Sequence, residues 1–314
     1  RYFWACFIFR RSSITVKAFV NLIGLTSLDR LRIRRKERDK NQASPGSFYW
    51  SPRAKCRISY KPLNIAQGLK FPNMLRTDGR KANEIRPLRI RRDYQLHPAG
   101  SVLIEAGRTR VICAATLLNQ VPRWMRAQNV SGGWLTAEYQ MLPSATSERG
   151  RRESTRGGPS GRTQEIQRLI GRSMRCVVDL QKLGARTLQL DCDVIDADGG
   201  TRCAAIVGAS VATQLALKKM FLDGDLKSWP MKENVAAVSV GILNGEALLD
   251  LAYSEDSTAD VDMNVVMTEE GKFIEVQGTA EGQPFARDQM DCMLNLAREG
   301  IEQIMAVQKN AIAG

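Results

Sequence analysis

The segment Asp191–Arg202 reads DCDVIDADGGTR. Apolar residues alternate through Thr187–Leu190 and return at Val194 and Ile195, which predicts a strand. Gly199 and Gly200 interrupt it, and an apolar helical pattern follows from about Cys203 to Phe221. Strand, glycine turn and helix make a corner where unpaired amides and the helix dipole favour an anion. Thr201 adds a hydroxyl and Arg202 a guanidinium. An ordinary strand-to-helix turn reads the same way, so the rest of the chain has to separate the two.

The chain has 314 residues, 25% of them charged, and a net charge of +13. That excess is local. Residues 1–73 hold 16 Lys and Arg against three acids, and the remainder balances at 30 against 30. A nucleic-acid argument for the body therefore needs local clustering, not bulk charge. No uninterrupted apolar run approaches the ~20 residues of a bilayer span, so no membrane partner is expected. Seven cysteines, at 6, 56, 113, 176, 192, 203 and 292, form no CxxC pair. Most sit in apolar surroundings, as reduced core cysteines do, which fits a reducing cytoplasm and gives no zinc or redox signature. The single histidine, His97, sits beside Pro98 in an expected turn, which argues against Ser-His-Asp or Cys-His catalysis.

Residues 1–73 lack sustained periodicity, and Arg30–Lys40 (RLRIRRKERDK) is nearly solid charge. They read as a basic, disordered extension. A targeting segment, an RNA-binding tail and translated upstream sequence all fit. The last is favoured because Met74 immediately precedes the first patterned residues. Residues 74–314 then form one α+β domain. Strands are expected at Arg86–Tyr94, Ser101–Gly107, Thr109–Leu118 and Trp134–Leu142, followed by a polar loop at Pro143–Gly161 and a helix at Arg162–Leu183. After the central corner come two hairpins. Val235–Leu243 pairs with Glu246–Tyr253 around Asn244-Gly245, and Met263–Thr268 with Lys272–Thr279. A helix from about Ala286 to Gln308 closes the domain.

Three constellations carry chemistry. Arg149, Arg151, Arg152 and Arg156 crowd the glycine-rich loop, and Arg162 opens the helix after it. A solvated loop has this composition, and so does an arm that grips phosphodiesters bidentately. Asp256 and Asp262 lie six apart about an expected turn, with Asp260 as a neighbouring decoy. Such a pair either caps the turn or holds magnesium, which takes few carboxylates and keeps water for substrate phosphate. The central corner is the third. No Walker lysine follows its glycines, so nucleoside triphosphate cleavage by that route is unsupported. Asp191 and Asp193 share a strand face and could be structural.

Residues 75–314 resemble bacterial RNase PH, a phosphate-dependent 3′-to-5′ exoribonuclease also called tRNA nucleotidyltransferase. RTDGR (76–80), GWLTAEYQMLP (133–143), GRTQEIQRLIGR (161–172), LDCDVIDADGGTR (190–202), EDSTADVDMNVVMTE (255–269) and EVQGTAEGQPF (275–285) carry the resemblance, in order. It implies a fold of two βαβ-like halves with mixed sheets packed against helices, and a homohexameric ring built as a trimer of dimers. It implies that Arg162, Gly200, Thr201 and Arg202 bind inorganic phosphate as co-substrate. Asp256 and Asp262 would be catalytic and hold magnesium. Arg149, Arg152 and Arg156 would hold tRNA precursors or other structured RNA 3′ ends, although Ser144 stands where an arginine is frequent. Two alternatives stay open: a metal-dependent hydrolase using water, and a non-catalytic RNA-binding ring subunit.

Overall fold

In the computed structural model, residues 76–314 are described; the expected extension, 1–73, lies outside them. Strands β1 (Leu88–Arg92), β2 (Gly100–Ala106) and β3 (Thr109–Leu118) form an antiparallel meander. The short helix α1 (Arg123–Ala127) leads to β4 (Trp134–Met141). A loop containing a 3₁₀ turn (Glu153–Arg156) leads to α2 (Gly161–Val177) and α3 (Leu180–Leu183). Strand β5 (Thr187–Asp196) enters between β3, antiparallel to it, and β4, parallel to it, giving the order β1-β2-β3-β5-β4. After helix α4 (Thr201–Leu222) come β6 (Val235–Leu243), β7 (Glu246–Leu249), α5 (Tyr253–Asp256), β8 (Val261–Thr268) and β9 (Phe273–Ala280). These four strands make a second, wholly antiparallel sheet, β7-β6-β8-β9, and α6 (Arg287–Ala313) closes the chain. The fold is mixed α+β with sheets packed against helices, as expected.

One hydrophobic core runs through both sheets and α2, α4 and α6. Helix α4 is its axis: it packs on β2 and β3 of one sheet and β6 of the other. Sixteen of its 22 residues are buried. A helix covered on most sides must be apolar most of the way round, which is why its sequence shows little amphipathic contrast. By length and composition α4 could cross a bilayer, contrary to the run-length reading, but 72% of its most apolar stretch is buried within the protein. Its close approach to the first sheet depends on absent side chains. A Cβ on Gly208 would lie 2.5 Å from the Cys113 sulfur, and one on Gly100 2.3 Å from the Ala212 carbonyl oxygen. Cys113, Cys192 and Cys203 are buried, and all five described cysteines are free; Cys6 and Cys56 lie outside the described residues.

Three of the boundaries that differ from expectation have a local cause. The helix expected over Arg162–Leu183 breaks at Val178, whose extended backbone bridges to Met231. Asp179 then caps a new turn, its carboxylate accepting from the amides of Gln181 and Lys182 at 3.0 and 3.4 Å. The strand expected over Glu246–Tyr253 ends at Leu249, because Asp250 adopts φ 53° and turns the chain into α5. The first strand is shorter than Arg86–Tyr94: Pro87 precedes it, and Asp93, at φ 53°, ends it.

Gly100→Ala forces the α4 backbone away from β2. Urea denaturation is expected to show a loss of about 1–3 kcal/mol. Unchanged stability would mean that the helix and sheet are not in contact there.

Candidate active site

The site begins with a buried ion pair. The Arg86 guanidinium chelates Asp250, Nη2 donating to Oδ1 at 2.6 Å and Nε to Oδ2 at 3.0 Å, while the Arg86 amide donates to Oδ2 at 2.7 Å. Burial alone would raise the Asp250 pKa, but the hydrogen bonds and charge of Arg86 outweigh it and hold the carboxyl below its usual range. The remaining Arg86 nitrogen, Nη1, donates to the carbonyl of Asp198 and, at 3.4 Å, to that of Gly199. Thr109 supports the same turn: its hydroxyl donates to the Gly199 carbonyl at 2.7 Å and accepts from the Asp198 amide at 2.9 Å. Gly199 and Gly200 have φ 76° and 61°. A Cβ on Gly199 would lie 2.6 Å from the Leu251 carbonyl oxygen. The turn is thus fixed by contacts that only glycine permits.

It opens the N-terminus of α4. The first helical bond runs from the Ala204 amide to the Gly200 carbonyl at 3.0 Å, leaving the preceding amides at the helix end. The Thr201 hydroxyl oxygen accepts from the Tyr139 phenol at 2.9 Å. Burial pushes the Tyr139 pKa up, so the phenol stays a donor and the Thr201 proton is free to point elsewhere. Arg202 is tethered by Gln277 at 2.7 Å and Glu165 at 3.3 Å. Arg162, in the first turn of α2, is exposed and has no hydrogen-bond partner among the described residues.

The acidic pair faces this corner. Asp256 ends α5 and Asp262 lies at the start of β8. Asp262 Oδ1 is buried without a hydrogen-bond partner among the described residues, while Oδ2 accepts from the Asn264 side-chain Nδ2 at 3.4 Å. Burial first, then the charge of Asp256, push the Asp262 pKa up to about 6. Burial raises Asp256 too, against the nearby charges of Arg162 and Arg202. Two half-buried carboxylates with an orphaned oxygen fit a hard divalent cation such as magnesium, with water completing its shell. Among the described residues no group of three or more His, Cys, Asp or Glu forms a fuller cage.

Arg162, Gly200, Thr201, Arg202, Asp256 and Asp262 all line one open cleft of about 1000 Å³. Arg149 and Arg152 do not line it; they are exposed on the loop beyond Ser144–Ser147, which forms part of its wall. Arg156 lies in the 3₁₀ turn, and its side chain is outside the described residues. Asp260 accepts from the Asn244 amide at 3.1 Å and does not line the cleft. Asp191 and Asp193 line a separate hollow with Glu138. Sequence reasoning missed Arg86, Asp250 and Tyr139. Their isolated identities carry no signal, because each acts through a partner distant in the chain.

The description RNase PH, 3′ exoribonuclease family, domain 1, matches residues 84–218, and domain 2 of that family matches 233–300. The chain belongs to the 3′ exoribonuclease family. Two solved structures share the fold. Rice (Oryza sativa) Rrp46 is 18% identical, with a TM-score of 0.61 over 76% of this chain and 100% of that one. A chain of the Archaeoglobus fulgidus exosome, solved with RNA bound to its active site, is 20% identical, with a TM-score of 0.62 over 74% and 91%. In this exoribonuclease-family chain, Arg162, Thr201 and Arg202 come from the first matched domain and Asp256 and Asp262 from the second. The cleft therefore exists only when both are packed together.

The raised Asp262 pKa carries a testable sign. Between the ordinary carboxylate value of 3.8 and about 6, the folded state holds a proton that the unfolded chain lacks. This group's penalty is thus complete above about pH 6 and vanishes toward pH 4. With divalent cations chelated, Asp262→Asn is expected to melt above wild type at pH 7.5, with the gap closing by pH 4. A pH-independent gap would contradict the assignment.

Proposed function

We propose that this protein is a phosphate-dependent 3′-to-5′ exoribonuclease acting on the 3′ ends of tRNA precursors and other structured RNAs. The observation that carries the reading is the meeting, in one cleft, of an anion corner, a free arginine and a carboxylate pair. A simple RNA-binding surface needs the cations but not the acids.

Residues 74–314 form the catalytic domain in this reading. Inorganic phosphate sits against the α4 N-terminus, its oxygens taken by the backbone at Gly200, the Thr201 hydroxyl and the guanidiniums of Arg162 and Arg202. Held there, it is oriented for attack on the terminal phosphodiester. A phosphorus–oxygen bond forms to the phosphate, and the bond to the ribose 3′ oxygen of the preceding nucleotide breaks. A nucleoside diphosphate leaves and the RNA is one residue shorter. One phosphoanhydride replaces one phosphodiester, so the reaction runs both ways. Asp256 and Asp262 would hold magnesium, which supplies Lewis-acid stabilisation of charge on the reacting phosphoryl group and the departing oxygen. The tethering of Arg202 by Glu165 and Gln277 supports a phosphate site formed ahead of substrate.

Arg149, Arg152 and Arg156 serve as the grip on the RNA body, away from the chemistry. The working form is a cytoplasmic homohexamer, a trimer of dimers, in which several such loops converge on one structured RNA.

Incubation with a 3′-extended tRNA and magnesium tests this directly. Shortening is expected with phosphate and not without it; equal shortening in both would establish water as nucleophile, and none in either would establish a non-catalytic subunit. Arg162→Ala removes a charge-assisted contact worth about 1.5–3 kcal/mol, so the phosphate KM is expected to rise roughly tenfold to hundredfold. An unchanged phosphate KM would remove Arg162 from the site.

A further inference from the structure

Tyr253 stands apart from the charged groups of the cleft. It lines the cavity and is 62% exposed. An aromatic ring left in water beside reactive carboxylates forgoes burial worth roughly 1.5–3 kcal/mol. Its exposure is not the result of a loose segment. Tyr253 opens α5 and Asp256 ends it, so the two lie three apart on one helical face, with Cβ atoms about 5–6 Å apart. Between them Glu255 is buried at 5% exposure and ion-paired with Arg76. The Glu255 carboxylate also accepts from the Ala252 amide at 2.9 Å, fixing the start of the turn. On the other side, a Cβ at Gly199 would lie 2.8 Å from the Tyr253 nitrogen, so the helix is seated against the anion turn itself. The ring is rooted between the phosphate corner and the acidic pair. Its phenol has no hydrogen-bond partner among the described residues.

We infer that Tyr253 is the stacking surface for the base of the RNA's 3′-terminal nucleotide, an inference that rests on the phosphorolytic reading above. A nucleotide whose phosphodiester lies between Asp256 and the α4 N-terminus carries its base within reach of this ring. Stacking uses the π-face, which every base has, and reads no base edge. That suits an enzyme removing one nucleotide after another, whatever its identity. The ring is the useful part and the hydroxyl is dispensable. The support is rigid, so little conformational entropy is lost when a base docks.

The reverse reaction isolates this contact, because nucleoside diphosphates are then substrates on their own. Tyr253→Ala is expected to raise the KM for ADP and UDP roughly fivefold to hundredfold, more for the purine, while the phosphate KM of the forward reaction stays put. Tyr253→Phe is expected to recover most of the lost affinity. A second measurement needs no turnover: RNA ending in 2-aminopurine, bound without phosphate, is expected to be quenched by the wild type and not by Tyr253→Ala. Wild-type diphosphate KM values together with undiminished quenching in Tyr253→Ala would overturn the inference. So would a change confined to the sedimenting mass, which would make the ring part of a contact between chains. If wild-type protein shows no phosphate-dependent shortening, the catalytic reading falls while the quenching experiment still decides the base contact.

Discussion

The contact between Arg86 and Asp250 is the constraint on which the site depends. Arg86 precedes the first strand of one sheet, and Asp250 follows the last residue of β7 in the other. Their bidentate bond ties the two sheets together at the point where β5 hands over to α4. The same guanidinium holds the carbonyls of the glycine turn, so the turn cannot relax without breaking a buried pair. Removing one partner from such a pair strands a charge, at a cost of about 3–5 kcal/mol. Arg76, Arg80 and Glu255 extend the cluster toward α5, where Arg76 also donates to the Leu249 and Asp250 carbonyls at 2.6 and 3.0 Å. One polar network thereby fixes the position of the anion corner and of the helix bearing Asp256. Such rigidity suits a site whose chemistry depends on where charges stand more than on how they move.

Much of this was legible in the sequence, for identifiable reasons. The strand, glycine turn and helix around Asp191–Arg202 announced themselves because a strand period of two gives way to a helical period at two glycines. The hairpins were legible from Asn244-Gly245 and the turn at Glu269–Gly271. The cleft residues Arg162, Gly200, Thr201, Arg202, Asp256 and Asp262 do converge, although their roles are part of the proposed function. What periodicity could not show was local competition for the backbone. Asp179 reads as one more polar residue in a long helix until its carboxylate is seen capping a new turn. Asp250 reads as one more residue of a strand running to Tyr253 until its left-handed backbone and its side-chain bond to Arg86 are seen.

Tyr139 illustrates a second limit. It lies on a strand whose pattern calls only for an apolar residue at that position, and it is 2% exposed. Its phenol nevertheless directs the Thr201 hydroxyl from 62 positions away. The arginine loop is the opposite case. Its composition is conspicuous, yet Arg149 and Arg152 stand clear of the cleft, and a role for them depends on a large partner. Conspicuous sequence marked the loop, whereas inconspicuous sequence built the support for the anion corner.

If the anion of the glycine corner is the attacking nucleophile, its atoms must end in the released nucleotide. The protein should be given 3′-extended RNA, magnesium and inorganic phosphate labelled with oxygen-18, and the released nucleotide examined by mass spectrometry. Nucleoside diphosphates carrying the labelled phosphoryl group as their β-phosphate are the expected product. Release of unlabelled nucleoside monophosphates would contradict it, because water would then have done the work assigned to phosphate.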